Sequence, residues 1–111
     1  MKRLVINVCR RERGFVRLPL ERGGRARRLD ADAIHEQLEV LIARRKLWDY
    51  VRVRDACAGG CGMAGPNISV TIYPPVHPGE KPDHVAVAWK TYVTSLDSLD
   101  CLSRVIDENL R

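Results

Sequence analysis

The segment CAGGCGMAGPNISVTIYP, residues 57–74, decides how the rest of the chain is read. Ahead of Pro66 lie two cysteines, Cys57 and Cys61, among Gly59, Gly60, Gly62 and Gly65; behind it runs ISVTIY, a strictly alternating strand pattern. Glycine lets backbone N–H groups turn toward a negative sulfur without a Cβ in the way. Thiolates in such a loop point to a metal, and Gly59, Gly60 and Gly62 are the candidate N–H donors around it. A metal held by protein thiolates commonly takes four ligands. The chain has four cysteines: Cys9, Cys57, Cys61 and Cys101.

Outward from this segment the pattern is regular. YVRVRDA (50–56) alternates and reads as a half-buried strand, and RLVINV (3–8) as a short buried strand of β-branched residues. Between them, LDADAIHEQLEVLIARRKLW (29–48) carries apolar residues at 34, 38, 41 and 42, one face of a helix. Asp30 or Asp32 caps its start, and Arg44, Arg45 and Lys46 suit its negative end. Beyond the central segment come a proline-rich connector (74–83), the strand HVAVAWKTYV (84–93), and a final helix with Leu99, Leu102, Ile106 and Leu110 on one face. The order β-α-β-β-β-α over residues 1–111 predicts one domain. Its first βαβ unit crosses over right-handed into a parallel pair, and its later strands form an antiparallel hairpin. The expected architecture is a thioredoxin-like mixed four-stranded sheet with helices packed on its faces.

With a strand ending in Cys9, then CAGGCGMAGPNISVTIYP, then WKTYVTSLDSLDCLSRVIDENL, the chain resembles the thioredoxin-like 2Fe-2S ferredoxins along nearly its whole length. The C-x3-C pair followed by G-P-N and an alternating strand is the most specific part. The resemblance implies that Cys9, Cys57 and Cys61 are the family's first, third and fourth cluster ligands, that the protein carries electrons rather than acting as an enzyme, and that it forms a homodimer. The family's second ligand falls within about residues 13–25, where this chain has no cysteine. Cys101 and His35 are the candidates for the open position. Cys101 reads first as a small buried hydrophobe, and His35, beside Glu36, as a solvated or helix-start contact. His77 and His84 read as surface residues. A structural zinc on four thiolates, or three and a histidine, is the alternative metal.

The charge is uneven. Residues 1–54 carry a net +8 and residues 55–111 a net −3, within an overall +5. Most of the excess lies in RRERGFVRLPLERGGRARR (10–28), eight arginines and two glutamates, read with residue 29 as a long loop. Such a segment awaits an anionic partner. Charge complementarity governs docking of an electron carrier, so an acidic redox protein is the expected partner, with Arg25, Arg27 and Arg28 as contacts. The loop's one aromatic, Phe15, gives bases little to stack on, so nucleic acid is not expected. Arginine forks also bind carboxylates, which leaves a cluster-free protein for an anionic ligand, such as a carboxylate-rich tetrapyrrole, as the alternative function. No stretch has the length of a membrane span, and the apolar run 4–8 is too short for a signal peptide; the expected location is the cytoplasm, with reduced thiols.

Overall fold

The computed structural model describes residues 2–57, 65–81, 85–92 and 96–110. Strand β1 (Arg3–Val8) alternates between half-buried and buried residues, so Leu4, Ile6 and Val8 point one way and Arg3, Val5 and Asn7 the other. The first hairpin follows: β2 (Val16–Leu18) pairs antiparallel with β3 (Arg27–Leu29). Helix α1 (Ala31–Arg44) is capped by Asp30, whose carboxylate accepts from Ala33 N–H at 2.8 Å. It returns the chain to β4 (Val51–Asp55), parallel to β1 with Val8 opposite Asp55. Strand β5 (Ile68–Tyr73) runs antiparallel on the other side of β1, and β6 (Ala88–Tyr92) antiparallel to β5. The sheet order is β4-β1-β5-β6. A 3-10 turn at Leu96–Ser98 leads to the short helix α2 (Arg104–Leu110).

The core lies on one face of this sheet. Leu4, Ile6 and Val8 stand opposite Ile72, Val70 and Ile68, and all six are buried in one cluster with Ile34, Leu38 and Leu41 of α1 and Val105 and Ile106 of α2. Both helices therefore bury their apolar stripes against the same side, rather than being shared between the faces. The reason lies in the strand sequences: residues of the opposite parity are, apart from Val5, polar, charged or aromatic, and among the described residues none of them is buried.

The arginine-rich stretch is not one loop. Val16, Leu18 and Leu29 belong to the core, while Arg17, Arg27 and Arg28 face outward. The eight-residue turn between the strands is bound to the approach of α2 by Leu102 N–H to Pro19 O (2.8 Å) and Ser103 N–H to Leu20 O (2.9 Å). Arg17 sits directly across from Arg28, a like-charge pairing that disfavours the hairpin. Arg28 turns onto the ring of Phe15, 3.8 Å from its centroid, which offsets part of that cost.

The final helix starts later than its leucine spacing suggests. Leu96, Leu99 and Leu102 recur every third residue because this segment is a 3-10 turn and connecting turns, so Cys101 precedes α2 rather than lying in its first turns. Seven residues make a poor helix alone. Tertiary contacts hold it: Arg45 donates to Glu21 at 3.0 Å and to Asp107 at 2.5 Å, joining the hairpin, α1 and α2 at one guanidinium. At its other end Glu108 accepts from Lys90 (2.6 Å) and from the Tyr92 hydroxyl, which also takes a bond from Asn109 (3.0 Å).

Two outcomes follow. Leu18 is 2 % exposed, so Leu18→Ala is expected to cost about 2–5 kcal/mol in urea unfolding; a loss under about 0.5 kcal/mol would return residues 16–18 to the surface. Burial pushes the Glu108 carboxyl upward, but the bonds from Lys90 and Tyr92 outweigh it and the folded value lies below the ordinary one. Its stabilisation is thus complete above the unfolded-state value and is lost as pH falls through the depressed one. Glu108→Gln should flatten the acid limb of a stability–pH profile, and an unchanged slope would remove Glu108 from it.

Candidate metal and thiol site

The parallel register of β1 and β4 brings two cysteines to one sheet edge. Val8 pairs with Asp55, and Ala56 N–H donates to Val8 O at 3.2 Å, so Cys9 and Cys57 leave neighbouring strands at the same end of the sheet, Cys57 one residue further along. Strand β5 starts at the same edge, with Ile68 opposite Val8, so Asn67 enters next to Cys9. The N-terminus of α1 closes the group. Arg10 Nε donates to Asp32 at 2.7 Å and Arg10 N–H to Asp55 at 3.3 Å, binding the residue after Cys9 to both the helix and the end of β4. The Asp32 hydrogen bond and charge raise the Arg10 pKa further above its ordinary value.

Cys9 is buried and carries a thiol, as does Cys101. Cys57 is exposed and disulfide-bonded. The expectation that all four cysteines are reduced is therefore corrected at Cys57. Cys61, Gly59, Gly60 and Gly62 lie outside the described residues, as does His84.

Asn67 is fully buried, and among the described residues neither its amide nitrogen nor its oxygen has a hydrogen-bond partner. Orphaned buried polar groups each cost about 1–3 kcal/mol and are rare in native proteins. This one stands beside the thiol edge, where its N–H2 group suits an anionic sulfur and its oxygen a donor. Sequence reasoning passed over Asn67 as part of the G-P-N motif; its alternation against Ile68 would have placed it in the open.

The arginine segment meets the cysteine segment through two glycines. Gly14 (φ +96°) and Gly65 (φ +97°) approach so closely that a Cβ on Gly14 would lie 3.2 Å from Gly65 Cα. Past this contact a cavity of about 500 Å³ opens beside the thiol edge, lined by Arg10, Arg13, Phe15, Arg28, Asp30 and Asp32 among others. Of the three arginines expected to meet a partner, Arg28 reaches this cavity; Arg25 and Arg27 are exposed elsewhere on the hairpin.

No family model, curated protein or solved structure matches the chain.

The two candidates for a further ligand stand differently. Cys101 is 4 % exposed, with its Sγ 3.3 Å from Ser103 Oγ, and lines a cavity with Glu21, Arg45 and Arg104. Arg45 marks the C-terminal end of α1, about 20 Å along a 14-residue helix from the Asp32 end that meets Cys9. Cys101 is thus not brought to the thiol edge. His35 lies in the first turns of α1, with Nδ1 3.8 Å from Glu39. Among the described residues, no three His, Cys, Asp or Glu side chains form a metal-sized group.

Leucine has nearly the shape of asparagine and removes both orphaned groups. Asn67→Leu is expected to raise the Tm of the metal-free protein by several degrees, since about 1 kcal/mol shifts a domain of this size by roughly 4–8 °C. A fall in Tm would show that the amide is satisfied in solution.

Proposed function

We propose that the protein is a small 2Fe-2S electron carrier on a thioredoxin-like scaffold. The observation that carries this reading is the exit of Cys9 and Cys57 from neighbouring strands at one end of the sheet, beside a buried amide with no partner among the described residues. The scaffold reading is supported by a parallel β4–β1 pair continued by two antiparallel strands, in the order β4-β1-β5-β6, with both helices on one side.

The residues fit such a group in part. Soft iron–sulfide prefers thiolate donors, which Cys9 and Cys57 supply once Cys57 is reduced; Cys61 is the third donor by sequence position. Reduction consumes two electrons and two protons per disulfide, which an external thiol provides. When bound, the cluster would supply one-electron transfer. Asn67 would donate its N–H to a sulfur and so raise the potential, because hydrogen bonds to sulfur stabilise the more negative state. Arg10, fixed by Asp32 and Asp55, orients the segment that follows Cys9. The exposed arginines Arg17, Arg25 and Arg27 would steer an acidic protein partner to the hairpin.

The arginine-lined cavity favours a second reading, a protein for an anionic ligand such as a carboxylate-rich tetrapyrrole, or for zinc. Its volume suits a small molecule. Against it, Glu12, Asp30 and Asp32 share the lining with Arg10, Arg13 and Arg28 and offset their charge.

Chain reduced with dithiothreitol and reconstituted anaerobically with ferrous iron and sulfide is expected to turn brown, with about two irons and two sulfides bound. Cys9→Ala and Cys57→Ala should stay colourless, and Cys101→Ala should keep the parent spectrum. A colourless parent that binds one zinc would replace the first reading with the second, and a Cys101→Ala protein as colourless as Cys57→Ala would bring Cys101 back as a ligand.

A further inference from the structure

The face of the sheet turned away from both helices has its own composition. The pairings place its residues in rows across four strands: Arg52–Val5–Thr71–Trp89, then Arg54–Asn7–Ser69–Thr91, with Arg3 opposite Tyr73 in the row before. Asn7 donates to Ser69 Oγ at 3.2 Å and the Arg3 guanidinium lies 5.6 Å from the Tyr73 ring centroid, so these side chains do share one surface. Trp89, a large aromatic on an edge strand, is 76 % exposed. At the other edge Arg3, Val5, Asp49, Tyr50, Arg52 and Tyr73 line a cavity of about 330 Å³.

Within those rows are three arginines, two aromatic rings and four short hydroxyl or amide side chains, and no acid. Among the described residues neither Arg52 nor Arg54 is in an ion pair with an acid, unlike Arg10, Arg45 and Arg104. Three strand spacings put Arg52 about 14 Å from Trp89 along its row. Charge at one edge and an exposed ring at the other is an arrangement in which phosphates are neutralised while bases stack.

We propose that this open face binds single-stranded RNA. Arg52, Arg54 and Arg3 would take the phosphates, Trp89 and Tyr73 would stack bases, and the row Asn7, Ser69, Thr71 and Thr91 would exchange hydrogen bonds with ribose 2′-hydroxyls, the groups that set RNA apart from DNA. A sheet with helices on one face and exposed aromatics on the other is a general solution for reading unstacked bases. The arginine-rich segment has a single ring, Phe15, and Arg28 covers it. The proposed contacts include none of the cysteines, so the inference goes beyond the proposed electron transfer and survives its failure.

The test is fluorescence anisotropy of a labelled 12-nucleotide single-stranded RNA against the full chain at 50 and 200 mM salt, with tryptophan emission recorded alongside. The expected result is saturable binding that weakens at least tenfold across that salt range and quenches tryptophan. Trp89→Ala should weaken binding by about 5- to 150-fold, and Arg52→Gln with Arg54→Gln by tenfold or more. Both changes touch exposed side chains, and thermal melting confirms that the fold is kept. Arg25→Gln with Arg27→Gln should leave the affinity within about threefold. Absence of saturable binding at 50 mM salt would overturn the proposal, as would a hairpin variant weaker than the sheet variants. Equal affinity for the DNA oligonucleotide of the same sequence would overturn the assignment to RNA. Equal affinity for polyglutamate, with tryptophan emission unchanged, would make the face a dock for acidic proteins instead.

Discussion

Strand β1 constrains everything else in the molecule. Leu4, Ile6 and Val8 lie against the helices while Arg3, Val5 and Asn7 lie on the open face. Because side chains alternate with period two, a slip of one residue would exchange these sets and bury an arginine. The register is therefore held from both sides, by β4 in parallel and β5 antiparallel. From that register follow the exit of Cys9 and Cys57 at one end of the sheet, the entry of Asn67 beside Cys9, and the rows of arginine, hydroxyl and aromatic residues on the far face. Chemistry at the edge and composition on the face are two readouts of a single strand alignment.

The sequence made the long-range frame legible and concealed the short elements. RLVINV and ISVTIY correspond residue for residue to β1 and β5, and the apolar face at 34, 38, 41 and 42 to α1, because burial in one core enforces those periods. Strands β2 and β3 are three residues each, bracketed by glycines and flooded with arginine, so the inward Val16, Leu18 and Leu29 were outnumbered. The segment before α2 repeats leucine every third residue, which a 3-10 turn and a helix face share over so short a span. At the site, the crossover rule accounts for Cys9 and Cys57 leaving neighbouring strands at the same end. The separation of Cys101, the disulfide at Cys57 and the burial of Asn67 depend on tertiary packing that no local pattern encodes.

The arginines do several jobs rather than forming one basic patch. Arg10 fixes the residue after Cys9 to α1 and β4; Arg45 joins the hairpin to α1 and α2; Arg28 covers Phe15; Arg52 and Arg54 line the open face. The Arg45 guanidinium is the most buried of the ion-paired ones, and its bonds to Glu21 and Asp107 outweigh the desolvation that opposes its charge. Removing one partner of such a group costs more than an exposed pair contributes. The net positive charge is thus partly structural, and only the outward arginines remain to attract a partner.

The central claim is that Cys9 and Cys57 are donors to one metal group at the edge of the sheet. Iron K-edge X-ray absorption on reduced chain loaded anaerobically with iron and sulfide tests it most directly, since it reports which atoms surround the iron irrespective of colour or activity. The expected spectrum has a first shell dominated by sulfur and a second-shell iron scatterer, with the sulfur shell depleted in Cys9→Ala. A first shell of oxygen and nitrogen alone, or a sulfur shell that Cys9→Ala leaves unchanged, would contradict it.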